Sequence, residues 1–263
     1  MTKIIDELKL FFDKTAYLFK YQSKLFIPFI FFVIALAGIY NKTASIFNGI
    51  GTDSFVDFLF GTLKGTFLFS LMLCPVIVII NLWALNLLKQ YHNLEEVSII
   101  KTFFKAIGWK FFVLIPFMFI WLLGQLFFVF ILLFFAFLSG LSRGAIGGSA
   151  ISKLINIILL VSLLFAFLLF LITPGIVLEN VNPFRSLKNM YSNMKMHSDI
   201  IRTKLGVYML SLVVVFFVSY YTSFAITGVF LLLSLYMVQI KAGQFYLWAK
   251  EQHAVSHEYL VTN

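Results

Sequence analysis

Residues 111–138 read FFVLIPFMFIWLLGQLFFVFILLFFAFL, 28 positions without an Asp, Glu, Lys, Arg or His. As one α-helix this stretch extends about 42 Å, more than the ~30 Å of hydrocarbon that a bilayer presents. Four further uncharged runs accompany it: Leu25–Tyr40, Thr66–Leu88, Leu154–Leu178 and Leu205–Ile240. The last, with 36 residues, is too long for one crossing and is expected to fold as two spans, 205–221 and 224–240, turning near Ser219–Ser223. The sequence thus predicts an all-α, polytopic membrane protein with six transmembrane helices, a single membrane domain over 1–263.

Composition agrees. Of the 263 residues 61% are hydrophobic and 12% charged, against roughly 45–50% and ~25% in soluble domains. There is too little polar surface to cover a water-soluble globule, and too much apolar content for disorder. A single cysteine, Cys74, excludes an intrachain disulfide and a cysteine metal cage. Ala35-Leu36-Ala37 imitates a signal-peptide cleavage site. The preceding acidic residues Asp6, Glu7 and Asp13 argue instead for an uncleaved first span at 25–40.

The net charge of +9 would suggest nucleic acid in a soluble chain. Here its distribution orients the spans, and no nucleic-acid motif is present. With the N-terminus in the cytoplasm, sixteen Lys and Arg fall inside, and only Lys42, Lys64, Arg143 and Lys153 outside. That bias places both termini in the cytoplasm. A single final helix would leave a split of 14 to 6, so six spans fit better.

The cytoplasmic segments repeat a pattern. Near 3–18, Ile4, Ile5, Leu8, Phe11 and Phe12 oppose Lys3, Asp6, Glu7, Asp13 and Lys14. Near 94–108, Val97, Ile100, Phe103, Phe104 and Ile107 oppose Ser98, Lys101 and Lys105. Near 183–197, Phe184, Leu187, Met190, Tyr191 and Met194 oppose Arg185, Lys188, Asn189, Ser192 and Lys195. The 3.6-residue period predicts three amphipathic helices lying in the headgroup region. Asn93 with Glu96 suggests the start of the second, and Asn182-Pro183 the start of the third. Each precedes two spans, which reads as three hairpins built on one repeat.

Two stretches carry a family resemblance. One is Asn93-Leu-Glu-Glu-Val-Ser-Ile-Ile-Lys-Thr-Phe-Phe-Lys-Ala-Ile-Gly-Trp109-Lys; the other joins Pro174-Gly-Ile-Val-Leu-Glu179-Asn to Pro183-Phe-Arg-Ser186-Leu-Lys-Asn-Met-Tyr-Ser192. Together they resemble six-span bacterial and archaeal membrane proteins of the YciC-like type, and the membrane domain attached to some glycerophosphodiester phosphodiesterases. Asn193 departs from the glycine or turn residue that often follows the basic helix in that group. The resemblance implies a fold and a place in the cytoplasmic (inner) membrane; with no phosphodiesterase catalytic domain in the chain, it implies no chemistry.

Chemistry is sparse in the sequence. The uncharged runs hold none of the ionisable groups that mark proton relays or ion pathways. Their polar residues Asn81, Gln125, Asn156 and Gln239 read either as helix-packing hydrogen bonds or as the lining of a polar path. Pro75, Pro116 and Pro174 read as kinks or as the broken helices of a transport site. Gly140–Gly148 holds GxxxG spacing between spans and reads as an external turn. His253 and His257 stand four apart beside Glu251 and Glu258, but a solvated tail accounts for them as well as zinc does. No metal, cofactor or catalytic residue is assigned.

The expected function is therefore a non-enzymatic structural, lipid-interacting or assembly component of the membrane, with membrane lipids and a membrane protein complex as the expected partners. Its surface contacts with anionic lipid would be Phe11, Phe12, Lys14, Lys101, Phe103, Phe104, Lys105, Phe184, Arg185, Lys188, Tyr191 and Lys195. The alternative is a transporter or channel for a lipid-like or neutral substrate.

Overall fold

A computed structural model describes residues 20–48, 55–138, 172–196 and 239–249, together with 17, 169, 233, 236, 237 and 251. The side chain of Gln125 lies outside the described set, as do Asn156, Phe11, Phe12, Lys14 and the expected helix 3–18. So do most of the expected spans 154–178, 205–221 and 224–240. Among the described residues every regular element is helical and no strand occurs.

A 3₁₀ turn, Ser23–Phe26, leads into α1, Ile27–Asn48. Pro28 sits in the first turn, where a missing N–H is not needed. Helix α2, Phe55–His92, has 38 residues, starting eleven positions before the expected span 66–88. The expectation stopped at Lys64, but a charge ends a hydrophobic run without ending a helix. Asp57 in the first turn and Lys89 and His92 in the last complement the helix dipole. Helix α3 is Ile99–Ala106, α4 is Trp109–Leu138 and α5 is Pro183–Met196. Both α2 and α4 continue through their prolines, Pro75 and Pro116, so neither helix is broken there.

Three helical stretches, Ser23–Thr43, Asp57–His92 and Trp109–Ile131, are long and apolar enough to cross a membrane. The chain is an all-helical membrane protein by that criterion.

The chain divides into two compact units. One contains the described parts of 31–78 and 112–167. Here α4 buries only a narrow seam that includes Leu114, Leu122 and Val129, and exposes Phe112, Ile115, Phe119, Leu123 and Phe127. An aromatic face that wide suits lipid tails, not water. On α2 a buried hydroxyl recurs every fourth residue, at Thr62, Thr66 and Ser70.

The other unit contains the described parts of 1–30, 79–111 and 168–263. Its axis is the inner part of α2, where every residue from Ile80 to Leu88 is buried. This explains why the run shows no amphipathic period: it has no free face. The helical turns at 239–249 approach α2 at Gly243, where a β-carbon would come within 2.6 Å of Leu85 Cδ2 and 2.7 Å of Leu88 Cδ2. Leu178, Met190 and Tyr246 form a further cluster, flanked by Met194, Phe245 and Leu247.

Candidate functional site

Several charged residues of this second unit, among them Lys89, His92 and Lys105, lie in the last turns of helices. Helix α2 stops where Leu94 enters the left-handed region at φ 55°. The Glu95 N–H then closes on the Gln90 carbonyl at 3.0 Å. The chain runs extended to Ser98, whose N–H donates to Gln90 Oε1 at 3.0 Å and whose hydroxyl accepts from the Lys101 N–H at 3.4 Å. Ser98 is thus the cap of α3. This corrects the expected start at 94 with Asn93 as cap: Asn93 belongs to the turn, and its side chain donates to Glu95 Oε1 at 2.9 Å.

Helix α3 also turns differently from its hydrophobic period. The residues it buries are Thr102 and Ala106, one turn apart on the Ser98 side. The Trp83 indole N–H donates to Thr102 Oγ1 at 3.1 Å and to the Ile99 carbonyl at 3.2 Å. Phe103 is half-buried with its ring 4.9 Å from that of Trp83, so it packs on protein. Ile100 and Phe104, 71% and 68% exposed, point away from the protein with Ile107, and Lys101 and Lys105 are exposed beside them.

Helix α5 repeats this layout. Asn182 Oδ1 accepts from the Arg185 N–H at 2.8 Å, which is the expected start at Asn182-Pro183. Pro183, Ser186, Met190 and Asn193 are buried, while Phe184, Leu187 and Tyr191 are exposed, Phe184 by 76%. Arg185, Lys188 and Lys195 are exposed. At helical spacing Lys188 follows Phe184 by four residues and Lys195 follows Tyr191 by four, so cation and ring are neighbours. The expectation that the bases oppose the aromatic row is corrected to that extent. The stripe turned to the protein is small or polar in α3, and in α5 it combines Ser186 and Asn193 with the apolar Pro183 and Met190.

Between α4 and α5, the turns at 172–178 end at Asn180, φ 59°. Their last carbonyls are free of helical donors and meet two lysines instead. Lys89 Nζ donates to the Leu178 carbonyl at 3.0 Å and to that of Val177 at 3.4 Å. Lys110 Nζ donates to the Val177 carbonyl at 3.1 Å. A cation at a helix C-terminus is also favoured by the dipole. Lys24 serves an extended segment similarly, donating to the Val97 carbonyl at 3.2 Å.

Gly175 lets α5 seat on these turns, since a β-carbon there would lie 2.2 Å from Ser186 Oγ. The Ser186 hydroxyl donates to the Ile172 carbonyl. Beyond them Tyr246 Oη donates to Glu179 Oε2 at 2.7 Å, and Asn189 Nδ2 reaches the same oxygen at 3.3 Å. Burial pushes the Tyr246 phenol up to about 12, with the Glu179 carboxylate adding to the rise. Deeper in this unit Gln239 Nε2 donates to Thr173 Oγ1 at 2.9 Å, while Gln239 Oε1, Asn81 Nδ2 and both amide atoms of Asn86 are buried without a partner.

Lys89, Lys110, Trp83 and Tyr246 carry this arrangement, and sequence reasoning used the lysines only as orientation charges. Lys110 beside the exposed Trp109 was a readable signal; Tyr246 had none. Among the described residues no three His, Cys, Asp or Glu side chains gather to hold a metal. What the arrangement offers is a basic, aromatic-edged surface. No family model, curated protein or solved structure matches the chain.

Proposed function

We propose that this is a non-enzymatic integral membrane protein of six spans in three hairpins, acting as a lipid-interacting structural or accessory component of a prokaryotic cytoplasmic membrane. Both termini lie in the cytoplasm in this reading, and α3 and α5 rest in the headgroup layer. The observation that carries it is the outward row Ile100, Phe104 and Ile107 on α3, matched by Phe184, Leu187 and Tyr191 on α5. Each helix leaves large apolar side chains exposed on its outward face, an arrangement that costs free energy in water and is favourable at a membrane surface. The resemblance to YciC-like proteins supports the same architecture.

Single cysteines at 104, 191, 101 and 188, in a Cys74→Ala background and carrying nitroxide labels, test it in vesicles. Labels at 104 and 191 should collide with lipid-dissolved oxygen and be shielded from an aqueous relaxation agent, the reverse of 101 and 188. Equal aqueous accessibility at all four positions would sink the reading.

The buried amide atoms without a hydrogen-bond partner, Asn81 Nδ2, Gln239 Oε1 and both of Asn86, favour a second reading, transport of a lipid-like or neutral substrate. Proteoliposomes of the purified chain that move no such solute would remove it.

A further inference from the structure

Lys89 and Lys110 donate to the same Val177 carbonyl, at 3.4 and 3.1 Å, which brings their ammonium groups together, and Lys105 stands in the last turn of α3, five residues before Lys110. Lys110 is half-buried, and its ammonium is held against the Val177 carbonyl. A helix C-terminus presents about half a unit of negative charge. Each ammonium also has three donors, so Lys110 can keep its carbonyl and still reach a further oxygen.

The surroundings say which anion fits. Lys105 follows Phe104 on α3; Ile107 is exposed one turn after it, and Trp109, 79% exposed, stands directly before Lys110. A free phosphate has no use for that apolar edge, whereas a phospholipid places a phosphodiester over lysines and its acyl chains beside rings. Tryptophan marks the headgroup level, where the two parts of such a ligand meet. Basic recesses at helix ends on the cytoplasmic side take anionic headgroups in this way.

We propose that Lys105 and Lys110, backed by Lys89, form a specific site for the phosphodiester of one anionic phospholipid, its chains lying along Phe104, Ile107 and Trp109. This rests on the lipid-surface reading above and adds selectivity and stoichiometry to it. On α5 the bases Lys188 and Lys195 are exposed and no helix end gathers them, so the attraction there is diffuse.

Native mass spectrometry of the full chain, released from mixed micelles of phosphatidylcholine and phosphatidylglycerol, tests the proposal. One phosphatidylglycerol should be retained saturably over phosphatidylcholine. Lys105→Gln should weaken retention about fivefold, the effect of removing one lysine from a membrane surface. Lys105→Gln/Lys110→Gln should abolish selectivity, and Lys188→Gln/Lys195→Gln should leave it intact. Because Lys110→Gln also removes a bond to Val177, the exposed Lys105→Gln alone decides if the double variant fails to fold. Equal retention of both lipids overturns the site, as does equal loss in the α5 variant or displacement of the lipid by inorganic phosphate. The nitroxide pattern at 104 and 191 would survive each of those outcomes, so the two ideas fail separately.

Discussion

The indole N–H of Trp83 reaches the hydroxyl of Thr102 at 3.1 Å, joining the axis of one unit to a surface helix through two buried side chains. The same hydroxyl donates to the Ser98 carbonyl at 2.8 Å. Thr102→Val keeps the shape and removes the hydroxyl, while the bond from the Trp83 indole to the Ile99 carbonyl stays. The expected loss is about 1–2 kcal/mol, read from thermal unfolding in a fixed detergent. A cycle with Trp83→Phe should show coupling between the two. Additive losses would mean that the contact contributes nothing of its own.

Gly175 and Gly38 should respond oppositely to alanine. At Gly175 the new methyl would lie 2.7 Å from Ser186 Cβ and 3.0 Å from its Cα, so trimming the hydroxyl cannot make room. Gly175→Ala should cost about 3 kcal/mol by forcing α5 off its seat, and Ser186→Ala should not rescue it. Gly38 has nothing within 4 Å of its β-carbon, and Gly38→Ala should be neutral or stabilise α1 by up to about 1 kcal/mol.

Tyr246 makes stability depend on alkaline pH. Its phenol is raised to about 12 in the folded chain, above the ordinary ~10. A raised acid is stabilised in its neutral form, so the contribution is complete below pH ~10 and lost as pH rises to about 12. The amount at stake is roughly 2–3 kcal/mol. Tyr246→Phe should be less stable at neutral pH, for want of the bond to Glu179, and should lose less on going to high pH. Parallel pH profiles for the two proteins would contradict this.

Asn86 is 3% exposed, and neither of its amide atoms has a partner. An unsatisfied buried amide costs about 1–3 kcal/mol. Asn86→Leu, of similar volume, should therefore raise the unfolding temperature. A fall would indicate that Asn86 serves a polar ligand or water in the native membrane.

Local signals decided how much of this architecture could be read beforehand. The span expected at 111–138 matches Trp109–Leu138 because Gly108 and a change from mixed to purely apolar sequence mark its start. The helix expected at 183–197 matches Pro183–Met196 because Asn182-Pro183 is a cap and a fixed φ in two residues. Helix α2 outran its expectation because Asp57 and Lys64 interrupt hydropathy but tolerate helix. Asn93 misled because Leu94, not a glycine, takes the left-handed turn.

The facing of α3 and α5 was the harder matter. A period separates two faces without saying which one meets protein. Here Ser98, Thr102 and Ala106, or Ser186 beside Met190, take the side toward the protein, and the rings of Phe104, Phe184 and Tyr191 are left exposed. The lysine contacts were beyond reach for a different reason: the acceptors are backbone carbonyls, which no residue letter reports.

Those same contacts set a timetable. Lys110 bonds a carbonyl 67 residues later in the chain, and Lys89 bonds carbonyls 88 and 89 residues later. At ribosomal speed, about 5–20 residues per second, α4 emerges several seconds before its lysine has anything to hold. During that interval α2 and α3 can close on one another through the bonds of Trp83 to Ile99 and Thr102 and of Ser98 to Gln90, which span 8 to 19 residues. The last turn at 172–178 then arrives as the acceptor that both ammonium groups require. This end of the protein is therefore completed by a later part of the chain, and a chain halted before Val177 lacks the carbonyls that Lys89 and Lys110 share.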